Sequence, residues 1–194
     1  MKQPWIQTYE GIQFTMLEPR VEDINILDIA HALSQEPRFG GHAKHHYSVA
    51  QHCVNLSKFA GGRLEKLRRL LHDAPEAYLK DIPRPYKYAP GVKKVLRPIE
   101  ARMEVAVAAR FGLELPLVGA AVKRDDNILL ATEAWHLMRP GHFDEWEPSP
   151  HLDRVDDEVC ADLGLDFTYW PDELAELRYL QQFIRLTEGI CKKE

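Results

Sequence analysis

After the acids Glu22 and Asp23, the apolar residues Ile26, Ile29, Ala30 and Leu33 recur at steps of three and four, with Leu27 on their flank. That spacing lays one stripe along a helix face and predicts the first helical element. A second is predicted from Ser48, a good N-cap, through Val49, Ala50, Cys53, Val54 and Leu56 to a stop at Gly61-Gly62. Leu64, Leu67, Leu70 and Leu71 give a third that reaches about Asp73. A fourth is expected to begin near Pro98, since proline is tolerated in a first turn, and to run to Phe111 before Gly112. A fifth covers Leu117 to Leu137, ahead of Arg139-Pro140-Gly141, and a last one runs from Pro171-Asp172-Glu173 to about Ile190. The N-terminal segment reads differently: Trp5 to Tyr9 and Ile12 to Phe14, around Glu10-Gly11, fit a short β-hairpin. The expected fold is therefore all-α, a helical bundle with a short N-terminal β-hairpin. No repeat, low-complexity tract or linker interrupts the chain, so 1–194 is read as a single domain.

Composition narrows the setting. With 194 residues, 45% hydrophobic and 28% charged, the chain has the balance of a globular protein with a sizeable core. Its apolar runs fall far short of the roughly 20 residues a membrane span needs, and Met1-Lys2-Gln3-Pro4-Trp5 opens no apolar signal region. A cytoplasmic protein with no membrane partner is expected. Three cysteines, Cys53, Cys160 and Cys191, are odd in number and contain no CxxC pair, which points to buried or idle thiols. A net charge of −5 argues against a nucleic-acid polymer as partner. The local basic run Lys58, Arg63, Lys66, Arg68 and Arg69, broken only by Glu65, has the spacing of a solvated helix face. An anionic ligand would need a bound cation or a few placed basic residues against this background.

The histidines change the picture. Of nine, six (His31, His42, His45, His46, His52 and His72) fall in one early stretch. His52 lies inside the second helical pattern and His72-Asp73 at the end of the third, so two antiparallel helices would bring them together. Imidazoles with carboxylates make a mixed nitrogen and oxygen site for a divalent transition metal. A further acid is needed, and Asp125-Asp126 interrupt the apolar fifth helix; they are either that acid or exposed neighbours of Lys123 and Arg124.

His52, His72-Asp73 and the distant Asp126 together resemble the H…HD…D pattern of the HD-domain metal-dependent phosphohydrolases, an all-helical superfamily. Leu71-His72-Asp73-Ala74-Pro75-Glu76 through Asp81-Ile82-Pro83-Arg84-Pro85-Tyr86-Lys87-Tyr88 is similar to the corresponding segment of the bacterial 5′-deoxynucleotidases, and Val122-Lys123 before Asp126 to their last metal segment. Arg38-Phe39 sits where those enzymes carry Arg followed by Trp. The likeness covers about Arg38 to Leu137. Thr8-Tyr9 to Pro19-Arg20, and Arg38-Phe39-Gly40-Gly41-His42 to Tyr47-Ser48-Val49-Ala50, resemble more closely a phage-associated branch that includes deoxyadenosine triphosphate triphosphohydrolases.

The resemblance implies one divalent ion (Mn, Co, Zn, Mg or Fe) on His52, His72, Asp73 and Asp126. Glu76, about one helical turn beyond Asp73, would serve the attacking water, and Asp81 the sugar 3′-hydroxyl or a substrate proton. Arg38 is the expected phosphate ligand, Phe39 shapes the sugar pocket in place of Trp, and His42 is a candidate second contact to phosphate. The implied activity is phosphate release from deoxynucleoside monophosphates, since no dense basic cluster is evident in the sequence to neutralise a triphosphate. The alternatives are a triphosphohydrolase of the dATP type, cyclic phosphodiester cleavage, and a non-catalytic nucleotide sensor. A homo-oligomer, dimer or higher, is the expected state.

Overall fold

The computed structural model describes residues 3–188. The expected end of the last helix at Ile190, and Cys191, lie outside the described residues. Two short strands, β1 (Ile6–Gln7) and β2 (Gln13–Phe14), pair antiparallel with Ile6 opposite Phe14 and Gln7 opposite Gln13. Gly11 takes φ +81 at the turn, where a side chain would be strained. The hairpin is tied down by the Glu10 N–H donating to Asp28 Oδ1 at 2.7 Å, and by Phe14 stacked on Tyr78 at 4.1 Å.

All else of regular structure among the described residues is helical: α1 (Ile26–Gln35), α2 (Val49–Leu56), α3 (Arg63–Leu71), α4 (Glu76–Leu79), α5 (Arg84–Lys87), α6 (Val92–Arg110), α7 (Ala120–Leu137), α8 (Asp157–Leu163) and α9 (Asp172–Thr187), with a few 3₁₀ turns. The fold is the expected helical bundle with its N-terminal hairpin. The caps follow from sequence: Asn25 accepts from the Leu27 N–H, Ser48 from the Gln51 N–H, and Glu65 reaches back to the Gly62 N–H.

Helix α9 packs across α1, α2 and α3, and around it gathers the main core of Ile29, Leu33, Val49, Leu70, Leu71 and Tyr179. A smaller cluster of Leu56, Phe59, Val122 and Leu129 joins α2 to α7. Cys53 and Cys160 are buried thiols, as expected. Among the described residues no helix is long and apolar enough to cross a membrane.

Two expectations need correction, and α8 was not among the expected helices. Helix α6 starts at Val92, not near Pro98, which sits inside it. The proline lies on an exposed stretch, so the Lys94 carbonyl deprived of its helical partner has access to water. Helix α8 carries one buried residue, Cys160, and so lacked an apolar stripe to announce it. Arg69 is not on a solvated face: it is buried, and its Nη2 lies 2.7 Å from Asp125 Oδ2.

Candidate metal centre

Helix α2 brings His52, the end of α3 brings His72-Asp73, and α7 brings Asp126 to one point. His52 Nε2 and His72 Nε2 face each other at 3.3 Å. Asp126 Oδ1 lies 3.4 Å from the first and 3.8 Å from the second. Asp73 Oδ2 lies 3.6 Å from His52 Nε2 and 3.0 Å from His72 Nε2. His52, His72 and Asp126 are all buried and present one donor atom each within 4.8 Å of the others.

The other ring edges fix which nitrogen can bind an ion. His72 Nδ1 lies 2.8 Å from the Arg69 carbonyl oxygen, which can only accept, so Nδ1 carries the proton. His52 Nδ1 lies 2.6 Å from Glu133 Oε1, and the same reasoning applies. In the neutral rings both Nε2 atoms are then bare acceptors pointed at each other, with two carboxylates alongside. Only a cation between them makes that arrangement favourable. Bonds of about 2.1 Å to a central ion separate neighbouring donors by about 3 to 3.5 Å; the contacts here run from 3.0 to 3.8 Å, with His52, His72 and Asp126 forming one set and Asp73 joined to it through the imidazoles. The donor set therefore fits a divalent metal. Cys53 forms a second group with His72 and Asp73, but its Sγ lies at the Nδ1 edge, 3.9 Å away, and burial pushes the thiol up to about 11.

Charge in the metal-free cluster follows from the same contacts. Burial disfavours a charged His72, yet the adjoining Asp73 carboxylate outweighs it and holds the imidazole well above its usual range. Asp73, against the effect of burial, is drawn down to about 2 by His72. Burial likewise opposes charge on Asp126, and the two adjoining imidazoles, His52 and His72, keep it well below the carboxylate range.

Asp125 and Asp126 are both buried, against the reading of exposed acids. Asp125 pairs with Arg69 across α3 and α7, whereas Asp126 turns Oδ2 to Lys123 at 2.8 Å and Arg84 at 3.3 Å.

Arg38 is held in the segment before α2, where the Arg38 N–H donates to the Tyr47 carbonyl at 2.9 Å. Its guanidinium is buried, donates from Nε to Glu133 Oε2 at 3.0 Å, and brings Nη1 to 3.8 Å from Asp73 Oδ2. Phe39 follows with φ +56, its half-buried ring 5.7 Å from the Arg38 guanidinium and 6.4 Å from the Trp146 ring. His42 is exposed on the adjoining loop, and no polar contact among the described residues joins it to the cluster. Glu76 lines the same cleft as His72, Asp73 and Asp126, and its Oε2 is buried without a hydrogen-bond partner. Burial, Asp73 and Asp81 together push the Glu76 carboxyl well above its usual range. Asp81 is half-buried, raised by burial, and follows Lys80, whose φ of +74 with ψ of 154 is a conformation L residues rarely adopt. Glu36 bridges the two, accepting from Lys80 Nζ at 2.7 Å and from the Asp81 N–H at 3.3 Å.

The cleft measures about 630 Å³ and is lined by Lys80, Lys87, Lys93, Arg97 and Lys123 as well as by the acids. Four of them, Lys80, Lys87, Lys93 and Arg97, fall in one stretch of the sequence that also holds Arg84 and Lys94 and has Asp81 as its one acid, so the expectation that no dense basic cluster is present is corrected. Glu133 was missed. It accepts from His52, from the Tyr47 hydroxyl at 2.8 Å and from Arg38. Its one signal in the sequence is the spacing of seven from Asp126, two helical turns along the same face of α7.

The chain is thus a helical protein with a candidate metal centre between its α2, α3 and α7 helices. It is 39% identical over 130 residues to the uncharacterized protein YfdR of Escherichia coli, covering 66% of this chain and 70% of that one. It is 34% identical over 145 residues to the uncharacterized protein RCAP_rcc00048 of Rhodobacter capsulatus, covering 69% and 73% respectively. The chain belongs to the family of these two proteins. No protein-family profile matches it.

Proposed function

We propose that the protein is a metal-dependent phosphohydrolase acting on deoxynucleotides, releasing phosphate from a deoxynucleoside monophosphate. One observation carries the reading: two imidazole Nε2 atoms, 3.3 Å apart, with both Nδ1 atoms committed elsewhere and Asp73 and Asp126 beside them. The resemblance of His52, His72-Asp73 and Asp126 to the HD-domain hydrolases gives that donor set its chemistry. A divalent ion on these four residues supplies polarisation of a phosphoryl oxygen and a lowered pKa for its water.

The chain's own residues do the rest. Glu76, with an oxygen kept dry and unpartnered at the cleft wall, accepts the proton of the attacking water. Its raised pKa is the direction a base working near neutrality requires. Arg38, with Nε held by Glu133 and Nη1 3.8 Å from Asp73 Oδ2, keeps its guanidinium beside the donor set to receive a phosphate there. Asp81, fixed through Glu36 and the Lys80 backbone, is positioned for a sugar hydroxyl. The intact Glu76 also speaks for turnover over a non-catalytic sensor.

A second reading, release of triphosphate from a deoxynucleoside triphosphate, is favoured by the five cations around the cleft, of which Arg97 and Lys93 stand on α6, the latter 5.0 Å from the Tyr88 ring. A panel of deoxynucleoside mono- and triphosphates with added manganese, cobalt, magnesium or zinc, following phosphate and triphosphate separately, decides between them. Phosphate from dAMP supports the first reading. Triphosphate from dATP with no turnover of dAMP replaces it with the second, and no hydrolysis in any arm removes both.

A further inference from the structure

Glu133 has zero solvent exposure and accepts hydrogen bonds from three side chains. Burial opposes its charge, and the Arg38 guanidinium outweighs that cost, keeping the carboxyl below its usual range. Oε1 takes two donors, His52 Nδ1–H at 2.6 Å and the Tyr47 hydroxyl at 2.8 Å. The Tyr47 oxygen in turn accepts from Asn55 Nδ2 at 2.9 Å, so its own proton is committed to Glu133. Oε2 takes Arg38 Nε–H at 3.0 Å.

We propose that Glu133 is a positioning residue serving two parts of the site at once. Through Oε1 it holds His52 in the tautomer and orientation that leave Nε2 bare toward the ion. Through Oε2 it holds the Arg38 guanidinium beside the donor set, with Nη1 3.8 Å from Asp73 Oδ2, where it would meet an anion bound at the ion. A metal ligand and an anion-binding cation thereby share one support, and neither can be reoriented without disturbing the other. The ion in this inference rests on the metal-dependent reading above; the hydrogen bonds do not.

The chemistry of an amide separates the two duties. In Glu133→Gln the new NH₂ group cannot sit at Oε1, where it would meet two donors, so the amide oxygen takes that place and the NH₂ is forced against Arg38 Nε–H. His52 keeps its partner and Arg38 loses its own. Glu133→Ala removes both supports. Long-range ¹⁵N–¹H NMR of the metal-free full-length chain reads the His52 tautomer, and titrations read the affinity for Mn²⁺ and, on metal-loaded protein, for inorganic phosphate.

For Glu133→Gln the expected result is an unchanged Nδ1–H tautomer, metal affinity within about tenfold of wild type, and phosphate affinity down by tenfold or more. For Glu133→Ala the tautomer becomes mixed and metal affinity falls about 10- to 100-fold. Arg38→Ala added to Glu133→Gln should weaken phosphate binding no further, because the two act as one unit. Wild-type tautomer and affinities in both variants, additive losses in the double variant, or equal loss of metal and phosphate in Glu133→Gln would each overturn the proposal. Glu133→Gln is nearly isosteric, so the test survives if Glu133→Ala does not fold. If the wild type binds no Mn²⁺, the hydrolase reading fails, while a mixed tautomer in Glu133→Ala still supports and an unchanged one still overturns the role of Glu133.

Discussion

Asp125 and Asp126 adjoin in the chain and are both buried, yet they face different partners: Asp125 locks α7 to Arg69 of α3, and Asp126 turns Oδ1 to the two imidazoles. The lock is structural and the neighbour is free for chemistry because successive residues on a helix project about 100° apart. Arg69 Nη1 is buried without a partner, so the pair is incompletely satisfied. Asp125→Ala leaves the Arg69 charge buried and unpaired and is expected to cost about 3–5 kcal/mol, whereas Arg69→Ala costs less because Asp125 keeps Arg124 at 3.0 Å. The double change Arg69→Met with Asp125→Leu should recover most of that. Urea denaturation of the three variants checks it; a double variant no better than the singles would mean the charges are needed for the fold.

Metal binding should be close to one divalent ion per chain and should be lost in His72→Ala and Asp126→Ala. Because Asp73 raises the His72 pKa, a proton competes for the site up to a higher pH than an ordinary histidine allows, and metal binding must expel it. Affinity should therefore strengthen as pH rises through that value and level off above it. Elemental analysis and calorimetry at pH 6 and pH 8 provide the measurement. Equal metal content in wild type and Asp126→Ala would remove Asp126 from the centre.

Glu76→Gln should lower kcat by about 10²-fold or more while metal content and phosphate affinity stay near wild type. The variant keeps the shape of the side chain and removes only its capacity to take a proton. Loss of metal together with activity would make Glu76 a ligand or a support.

The loop between α8 and α9 gives a prediction independent of the metal. Asp166 accepts from the Thr168 N–H and hydroxyl and from Trp170 Nε1 at 2.9 Å. Burial works to raise its pKa, but these hydrogen bonds prevail and lower it. A carboxyl depressed in the folded state adds stability that is fully present above its unfolded pKa of about 3.9 and is lost as pH falls through the lower folded value. Wild type should weaken on acidification below about pH 4, and Asp166→Asn should be less stable at neutrality but flatter over that acid range. Parallel slopes in thermal melts from pH 5 to pH 2.5 would show that other carboxylates carry the effect.

Much of the bundle could be read from apolar spacing, because α1, α2, α3 and α9 each contribute apolar residues to the core around Leu33, Leu70 and Tyr179, and α7 gives Val122 and Leu129 to the smaller cluster. What escaped had a physical cause. Pro98 reads as a helix start, although inside α6 it faces water and costs only one hydrogen bond. Arg69 reads as a surface cation because its partner Asp125 is 56 residues away. The His and Asp types of the centre stand out by their chemistry, whereas Glu133 is one acid among the apolar residues of α7 and acquires meaning only once His52, Tyr47 and Arg38 surround it. Most cations of the cleft were legible as the basic stretch from Lys80 to Arg97, but its turns and short helices hid that they share one wall.

Every residue of α2, from Val49 to Leu56, is buried, so the helix that carries His52 has no outward face. Gln51 and Asn55 spend their side chains on the backbone of the α8–α9 loop, and Cys53, Val54 and Leu56 fill the core. Such a helix offers no position where polarity or volume can drift without consequence. In a saturation library scored only for folded protein, this stretch should stand out as an unbroken block of intolerance, beside an α6 that accepts substitution on its outward side. Among diverging relatives the metal ligand would then be preserved as much by the surroundings it is packed into as by the ion it would hold.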